Sequence, residues 1–205
     1  MRFYQTTWFQ KLLYPSLTWK IDSSDSIYLT FDDGPTPEVT PWVLDELDKV
    51  GGKASFFCIG IKIEEHKDIA EKLLQKGHAI GNHTYRHLSG YEVDAVEYLE
   101  DIKKCDDQLE RINVKNQLFR PPFGRIRKAQ LRRLDQKKII MWNYLSWDFS
   151  TSFKPEKSLK ALKKAGPGDI VLFHDSEKAF ANLKQILPEL LAHYNSKGLK
   201  LEALR

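Results

Sequence analysis

Short apolar runs alternate with stretches in which apolar residues recur every three or four positions, along almost the whole chain. The runs with strand character cover residues 27–31, 54–59, 79–82, 118–120, 139–144, 170–173 and 199–203. Helical periodicity lies between them, over residues 38–50, 65–76, 92–112, 127–136, 155–164 and 179–194. In the third helix, Val93, Val96, Leu99, Ile102, Cys105, Leu109 and Ile112 make one apolar stripe. Pro188 predicts either a kink or a new start in the last one. Seven strands joined by six helices predict an α/β fold: a parallel sheet covered on both faces and closed, or nearly closed, into a TIM-like barrel. There is no repeat, low-complexity tract or linker. Residues 26–205 therefore read as one domain, and residues 1–25 as an N-terminal extension that packs on the barrel or at an interface.

Composition narrows this picture. At 205 residues and 41% hydrophobic content the chain suits a single domain with a sizeable core. Its net charge of +4 is near balance, and segments such as "KALKKAG" and "RKAQLRR" read as solvated helix faces, so no nucleic-acid partner is implied. Cys58 and Cys105 both sit in apolar surroundings and are expected to be buried free thiols. No uninterrupted apolar run approaches the ~20 residues of a transmembrane helix. The N-terminus, "MRFYQTTWFQKLLYPSLTWK", lacks the sustained apolar core of a secretory signal. That predicts a cytoplasmic or membrane-associated protein, or a secreted one if the native start is missing. The aromatic residues in this segment are expected to pack under the body, with an interfacial helix as the alternative.

The candidate chemistry gathers at strand ends, where a barrel of this kind keeps its site. Asp32 and Asp33 follow the first run, His83 the third, Arg120 the fourth, Asp148 the fifth and His174 the sixth. In "GNHTYRHLSG", His83 and His87 are four apart, and one helical turn would aim both imidazoles to the same side. Two His and one carboxylate suit a divalent metal with positions left for water and substrate. One member of the Asp32–Asp33 pair can complete that set while its neighbour takes a proton from water, because successive side chains of an extended chain point in opposed directions. Arg120, in "LFRPPFG", can hold the base carboxylate ionised by a forked hydrogen bond. Neither following proline has an N–H, so Phe123 carries the first free amide, which could face an oxyanion. His174, in "GDIVLFHDS", needs a carboxylate to stay protonated as a general acid. Asp148 is the expected partner, and Asp175 competes although its side chain should point away. His66, His78 and His193 lack such acidic neighbours and read as structural or exposed.

In this order and spacing, "TFDDG", "HTYRH", "RPPFG", "SWDF" and "LFH" resemble the five motifs of the NodB-type polysaccharide deacetylases, carbohydrate esterase family 4. The resemblance covers about residues 26–203. It implies a distorted (β/α)7 barrel and metal-dependent removal of acetyl groups from sugar polymers. It further implies Asp32 as general base and Asp33, His83 and His87 as metal ligands. Arg120 would orient the base, Phe123 N–H would serve the oxyanion, and His174 would be the acid tuned by Asp148. The expected cofactor is one divalent ion, zinc first, with cobalt, nickel or manganese possible. The expected substrate is an acetylated glycan, peptidoglycan or chitin-like, attacked by metal-bound water. Two positions depart from the usual fourth motif, Asp-x-x-Asp-Trp: here Leu145 and Phe149 flank Asp148. They motivate the alternatives of a non-catalytic glycan-binding module on the same fold, an O-acetyl esterase of the acetylxylan type, or a non-sugar amide hydrolase.

Overall fold

The computed structural model describes residues 4–115 and 117–205, without the side chain of Gln10. In chain order the elements are α1 (Trp8–Leu13), β1 (Ser26–Asp32), α2 (Val39–Asp48), β2 (Ser55–Cys58), α3 (Gly60–Glu65), α4 (Lys67–Gln75), β3 (Ala79–Asn82), α5 (Ala95–Arg111) and β4 (Leu118–Phe119). A 3-10 turn (Pro122–Gly124), α6 (Lys128–Leu131), β5 (Lys138–Ile139), β6 (Tyr144–Leu145), α7 (Pro155–Leu162), β7 (Ile170–His174), α8 (Glu177–Ser196) and β8 (Lys200–Leu201) follow. The strands form one curled parallel sheet in the order β5-β4-β3-β2-β1-β7-β6, with β8 added beside the start of β1. This is the expected distorted barrel.

Strand alternation sorts the side chains into two layers. Ile27, Leu29 and Phe31 of β1, Phe56 and Cys58 of β2, Ile80 of β3, and Val171 and Phe173 of β7 face outward into the core shared with α2, α4, α5 and α8. Phe31 is in register with both Phe56 and Phe173, and the three rings stack across neighbouring strands at centroid distances of 5.1 and 5.5 Å. Full burial of each such ring contributes roughly 1.5–3 kcal/mol. The opposite parity fills the barrel interior with Phe57, Leu118, Ile140, Ile170 and Leu204. Gly81 makes room there: a Cβ would come within 2.7 Å of the Phe57 ring.

The run at residues 139–144 divides into β5 and β6, because the chain changes partners inside it. The Ile140 amide goes to Phe119 O of β4, the Met141 amide to Thr18 O, and the Asn143 amide to Ile170 O of β7. The helix expected over residues 65–76 is α4, and ahead of it the structure adds α3, which was not expected; the two are separated at His66, whose φ of −129° leaves the helical region. The one expected over residues 127–136 is only Lys128–Leu131, since the following amides bond three residues back, Leu134 to Leu131 and Lys137 to Leu134. Pro188 lies within a continuous α8. Cys58 and Cys105 are buried and free, as expected.

The N-terminal extension seals the seam between the edge strands β5 and β6. Thr18 pairs with the end of β5 and the residues just after it, through Thr18 N to Ile139 O and Met141 N to Thr18 O, at 2.9 and 2.7 Å. Near β6, Thr6 N reaches Asn143 O and Leu145 N reaches Tyr4 O. Capping exposed sheet edges in this way satisfies their backbone groups. The aromatic side chains divide in their behaviour. Tyr14 and Trp19 pack with Leu17 against the core around Phe119 and Met141, whereas Trp8, Phe9, Leu12 and Leu13 of α1 are exposed. Residues 1–3 of the predicted extension lie outside the described residues. Among the described residues no helix is long and apolar enough to cross a membrane.

Candidate active site and metal centre

The inward parity that fills the barrel also delivers the site. Continuing it along each strand aims Asp32 of β1, His174 of β7, Arg120 after β4 and His83 after β3 toward the interior. Asp32 and His174 are register partners on adjacent strands, so a base and an acid stand at one level. Asp148, three residues beyond β6, is fully buried beneath them.

Arg120 is buried completely and uses its whole guanidinium. Nη1 donates to Asp32 Oδ1 at 2.7 Å and to Thr30 Oγ1 at 2.8 Å, while Nε and Nη2 donate to the carbonyls of Ile140 and Met141 at 3.0 Å. Its guanidinium carbon lies 4.1 Å from the centre of the Phe57 ring. Burial lowers the Arg120 pKa and the Asp32 charge opposes that. A buried guanidinium satisfied at every arm fixes the orientation of the single carboxylate it faces.

Asp33, His83 and His87 offer one carboxylate oxygen and two imidazole nitrogens, all within 4.8 Å of one another. His87 Nε2 lies 3.2 Å from Asp33 Oδ1, and His83 Nε2 lies 3.8 Å from the same atom. His83 Nδ1 is 2.7 Å from Arg120 O, which assigns the proton to Nδ1 and leaves the Nε2 lone pair facing the cluster. Burial pushes the His83 pKa down to about 4, so the ring is neutral, as a metal ligand must be. Burial would raise Asp33, but its contact with His87 and the charge of His174 hold it well below the usual carboxylate range. An ionised carboxylate and two lone-pair nitrogens on one side of a cavity fit a divalent transition metal.

The segment bearing the histidines is a loop, not the helical turn that their spacing predicts. Thr84 and His87 have φ of 63° and 59°, outside the right-handed helical region, and yet the two rings come to 5.1 Å. Side chains from outside the motif impose this path. Asp101 of α5 accepts from the Tyr85 and Arg86 amides, both at 2.9 Å, and from Arg86 Nε at 2.6 Å. Asn82 accepts from the Thr84 amide at 2.8 Å. Sequence reasoning missed Asp101; an acid on the apolar face of an otherwise amphipathic helix was the available signal. Among the described residues, five of the seven non-glycine ones with positive φ, Asp33, Thr84, His87, Phe123 and Trp147, belong to the loops around the cavity these side chains share, so backbone strain concentrates where the candidate chemistry lies.

His174 pairs with Asp148. Nδ1 is 2.8 Å from Oδ1, and the His174 amide donates to Oδ2 at 2.8 Å. Burial works against the charged ring, but Asp148 overcomes it, aided by Asp33 and Asp32, and raises the His174 pKa to about 9. Asn182 of α8 holds the Asp148 loop by donating to its carbonyl at 2.6 Å. Phe149 meets His174 edge-on at 4.9 Å. Asp175 points the other way, as strand alternation predicts, and accepts from Thr40 Oγ1 at 2.5 Å. Burial pushes its pKa up to about 7. Gly34 must be glycine against this carboxyl, because a Cβ would fall 2.0 Å from Asp175 Oδ2.

Asp32, Asp33, His83, His87 and His174 line one cavity of about 620 Å³, walled by Phe123, Trp142, Leu145, Trp147 and Phe149. Phe123 is 59% exposed and its ring lies 4.7 Å from that of His87. The amides after it are occupied, Gly124 N by Pro121 O and Arg125 N by Pro122 O. Each predicted site residue except the deeply set Arg120 and Asp148 thus reaches the cavity, and those two support Asp32 and His174 from behind. His78 is buried, its pKa pushed by burial down to about 4, and receives the Ala54 amide; His193 lies near Lys163 O. Both are remote from this cavity.

Comparison with known proteins gives the arrangement relatives. Residues 20–141 match the family described as polysaccharide deacetylase. A peptidoglycan-N-acetylglucosamine deacetylase of Bacillus cereus is 33% identical over 186 residues, covering 85% of this chain and 86% of that protein. A crystal structure of a peptidoglycan N-acetylglucosamine deacetylase, bound to 4-naphthalen-1-yl-N-oxidanyl-benzamide, superposes with a TM-score of 0.82 at 28% identity, covering 97% of this chain and 95% of that one. A mutant carbohydrate esterase family 4 pseudoenzyme with restored activity superposes at 0.78 and 27% identity, covering 89% of this chain and 67% of that one. Overall likeness therefore spans active and inactive proteins, and the site residues must discriminate between them.

Proposed function

This chain belongs to the polysaccharide deacetylases, carbohydrate esterase family 4, and from that premise we propose that it removes N-acetyl groups from amino sugars of a peptidoglycan or chitin-like glycan. The observation that carries the reading is the juxtaposition of the Asp33–His83–His87 cluster with an Arg-held carboxylate and an Asp-held imidazole in one cavity.

Asp33, His83 and His87 would hold a divalent metal, zinc first and cobalt, nickel or manganese otherwise. When bound it would polarise the acetyl carbonyl and make water more acidic. Asp32, oriented through Oδ1 by Arg120, takes the proton from the attacking water at Oδ2, the oxygen turned toward His83. The Phe123 amide donates to the carbonyl oxygen as negative charge develops there. His174, kept protonated by Asp148, delivers its proton from Nε2 to the departing sugar nitrogen. The C–N bond breaks, and acetate and a free amine leave. Phe123, Trp142 and Trp147 offer ring faces to the sugar and keep bulk water from the carbonyl.

The test is acetate and amine release from chitooligosaccharides and peptidoglycan fragments by the wild type and Asp32→Asn. Equimolar acetate and new amine from the wild type only, with metal retained in the variant, supports the reading; equal turnover by Asp32→Asn rules out the base. A non-catalytic glycan-binding role is the second reading, favoured by Leu145, an apolar residue in the cavity wall where the family motif has an acid. Glycan binding without acetate release from any substrate would select it.

A further inference from the structure

The large apolar side chains that the fold leaves on the surface are not scattered. Trp8, Phe9, Leu12 and Leu13 of α1 are between 49% and 75% exposed, and at ~100° per residue they share one arc of about 140°. Tyr14, which follows α1, is hydrogen-bonded through its side chain to that of Tyr91, and both line one small cavity with Phe123. Tyr91 and Phe123 are themselves exposed, so among the described residues only Val96 of the large exposed apolar side chains lies outside this group. An apolar face of this kind marks an interaction surface.

The segments that build this side are basic. Residues 1–20 carry Arg2, Lys11 and Lys20 and no acid; Lys20 meets Asp169 at 3.3 Å. Residues 124–134 carry Arg125, Arg127, Lys128, Arg132 and Arg133 and no acid. All five are exposed, and none forms an ion pair among the described residues. This stretch lies against the extension: Ile126, Leu131 and Leu134 pack in one cluster with Tyr14, Leu17 and Trp19. Arg127 donates to Tyr91 O, and the charges of Arg125 and Arg127 reach the Tyr91 hydroxyl. Apolar side chains beside unpaired cations discriminate among occupants. A second copy of the chain would bring two basic segments together, and a soluble acidic polymer would leave Phe9, Leu12 and Leu13 in water. An anionic bilayer satisfies both features, with Trp and Phe at the headgroup–acyl boundary and Lys and Arg on lipid phosphates. We propose that α1 and residues 125–133 form a docking face for an anionic lipid bilayer. Phe123 and Arg125 also line the active-site cavity, so docking sets that cavity beside the bilayer and favours a glycan carried on the membrane. That consequence for the substrate rests on the deacetylase reading; the docking itself does not.

Co-sedimentation of the protein with lipid vesicles tests this. Vesicles of phosphatidylcholine with about one-third phosphatidylglycerol are expected to bind it at least about tenfold more tightly than phosphatidylcholine alone, and the preference should shrink as salt rises from about 0.1 M to about 0.5 M. Phe9→Ser with Leu12→Ser, and Lys128→Gln with Arg132→Gln, are each expected to weaken binding to the anionic vesicles about tenfold. All four residues are exposed, and the wild-type comparison of the two compositions stands even if a variant fails to fold. Equal affinity for both compositions overturns the docking face. So does full binding after the apolar pair is changed, which would mean charge adsorption only. Dimerisation that Phe9→Ser with Leu12→Ser abolishes, without vesicle binding, assigns the face to a second copy and equally overturns it. None of these variants alters a residue lining the metal-cluster cavity. Absence of acetate release by the wild type would therefore overturn the deacetylase reading and leave the vesicle result standing.

Discussion

Asp148→Asn is the most informative single perturbation of the acid. The His174 ring has a pKa raised to about 9, against the burial that would depress it, and the leading cause is Asp148, 2.8 Å from Nδ1. Asn keeps the shape and can accept one hydrogen bond, but it removes the charge. A fall from about 9 to the ordinary histidine value of about 6.5 is worth about 3 kcal/mol of imidazolium stabilisation. At pH 8 the protonated fraction then drops from about nine-tenths to about three-hundredths, and the rate falls roughly thirtyfold; at pH 6 the loss from this cause is under about twofold. Stability carries the same signature. A raised folded-state pKa contributes stability that is fully present below about pH 6.5 and is lost as pH rises through about 9. The stability gap between wild type and variant is therefore widest near pH 6 and closes in alkali. Acetate-release profiles from pH 5.5 to 10 and denaturant melts at pH 6 and pH 9.5 measure both. An alkaline limb that stays near pH 9 in Asp148→Asn would refute the assignment of His174 as the acid tuned by Asp148.

Three further outcomes are expected. His83→Ala should lose metal and acetate release together, because it removes the one buried ligand; unchanged metal content on elemental analysis would contradict the ligand set. Arg120→Met should destabilise by about 3–5 kcal/mol, since Asp32 is left buried without its cation, and should lower the melting temperature by roughly 10 °C. A melting point within a degree or two of wild type would show that the Arg120–Asp32 contact is dispensable. Asp101→Ala touches no metal ligand but frees the Tyr85 and Arg86 amides, so chelator competition should report metal bound about 10–100-fold more weakly. Unaltered affinity would mean that the loop holds itself.

Much of this was legible because β-strands alternate. The order of apolar runs predicts the barrel and places Asp32, His83, Arg120, Asp148 and His174 at strand ends, and alternation predicts that Asp175 turns away from His174. The choice of Asp148 over Asp175 follows from parity, and the structure agrees. What escaped the sequence depends on partners distant along the chain. The run at residues 139–144 looks like one strand, and only the positions of Thr18 and Ile170 show that its middle must change neighbours. The His83–His87 spacing suggests a helix, but carboxylate and amide groups from Asp101 and Asn82 claim the amides that a helix would use. The aromatic N-terminus could not be divided into its packed part, Tyr14 and Trp19, and its exposed part, Trp8 and Phe9, without knowing which edge it covers.

The central claim is that a metal held by Asp33, His83 and His87 enables this cavity to release acetate. Its most direct test is to strip the protein with chelator and titrate a divalent ion back while following bound metal and acetate release from an N-acetylglucosamine oligomer. The account predicts no release from stripped protein, one ion bound per chain at saturation, and activity rising in proportion to it. Full activity in stripped protein, or a bound ion that survives the loss of all three ligands, would contradict it.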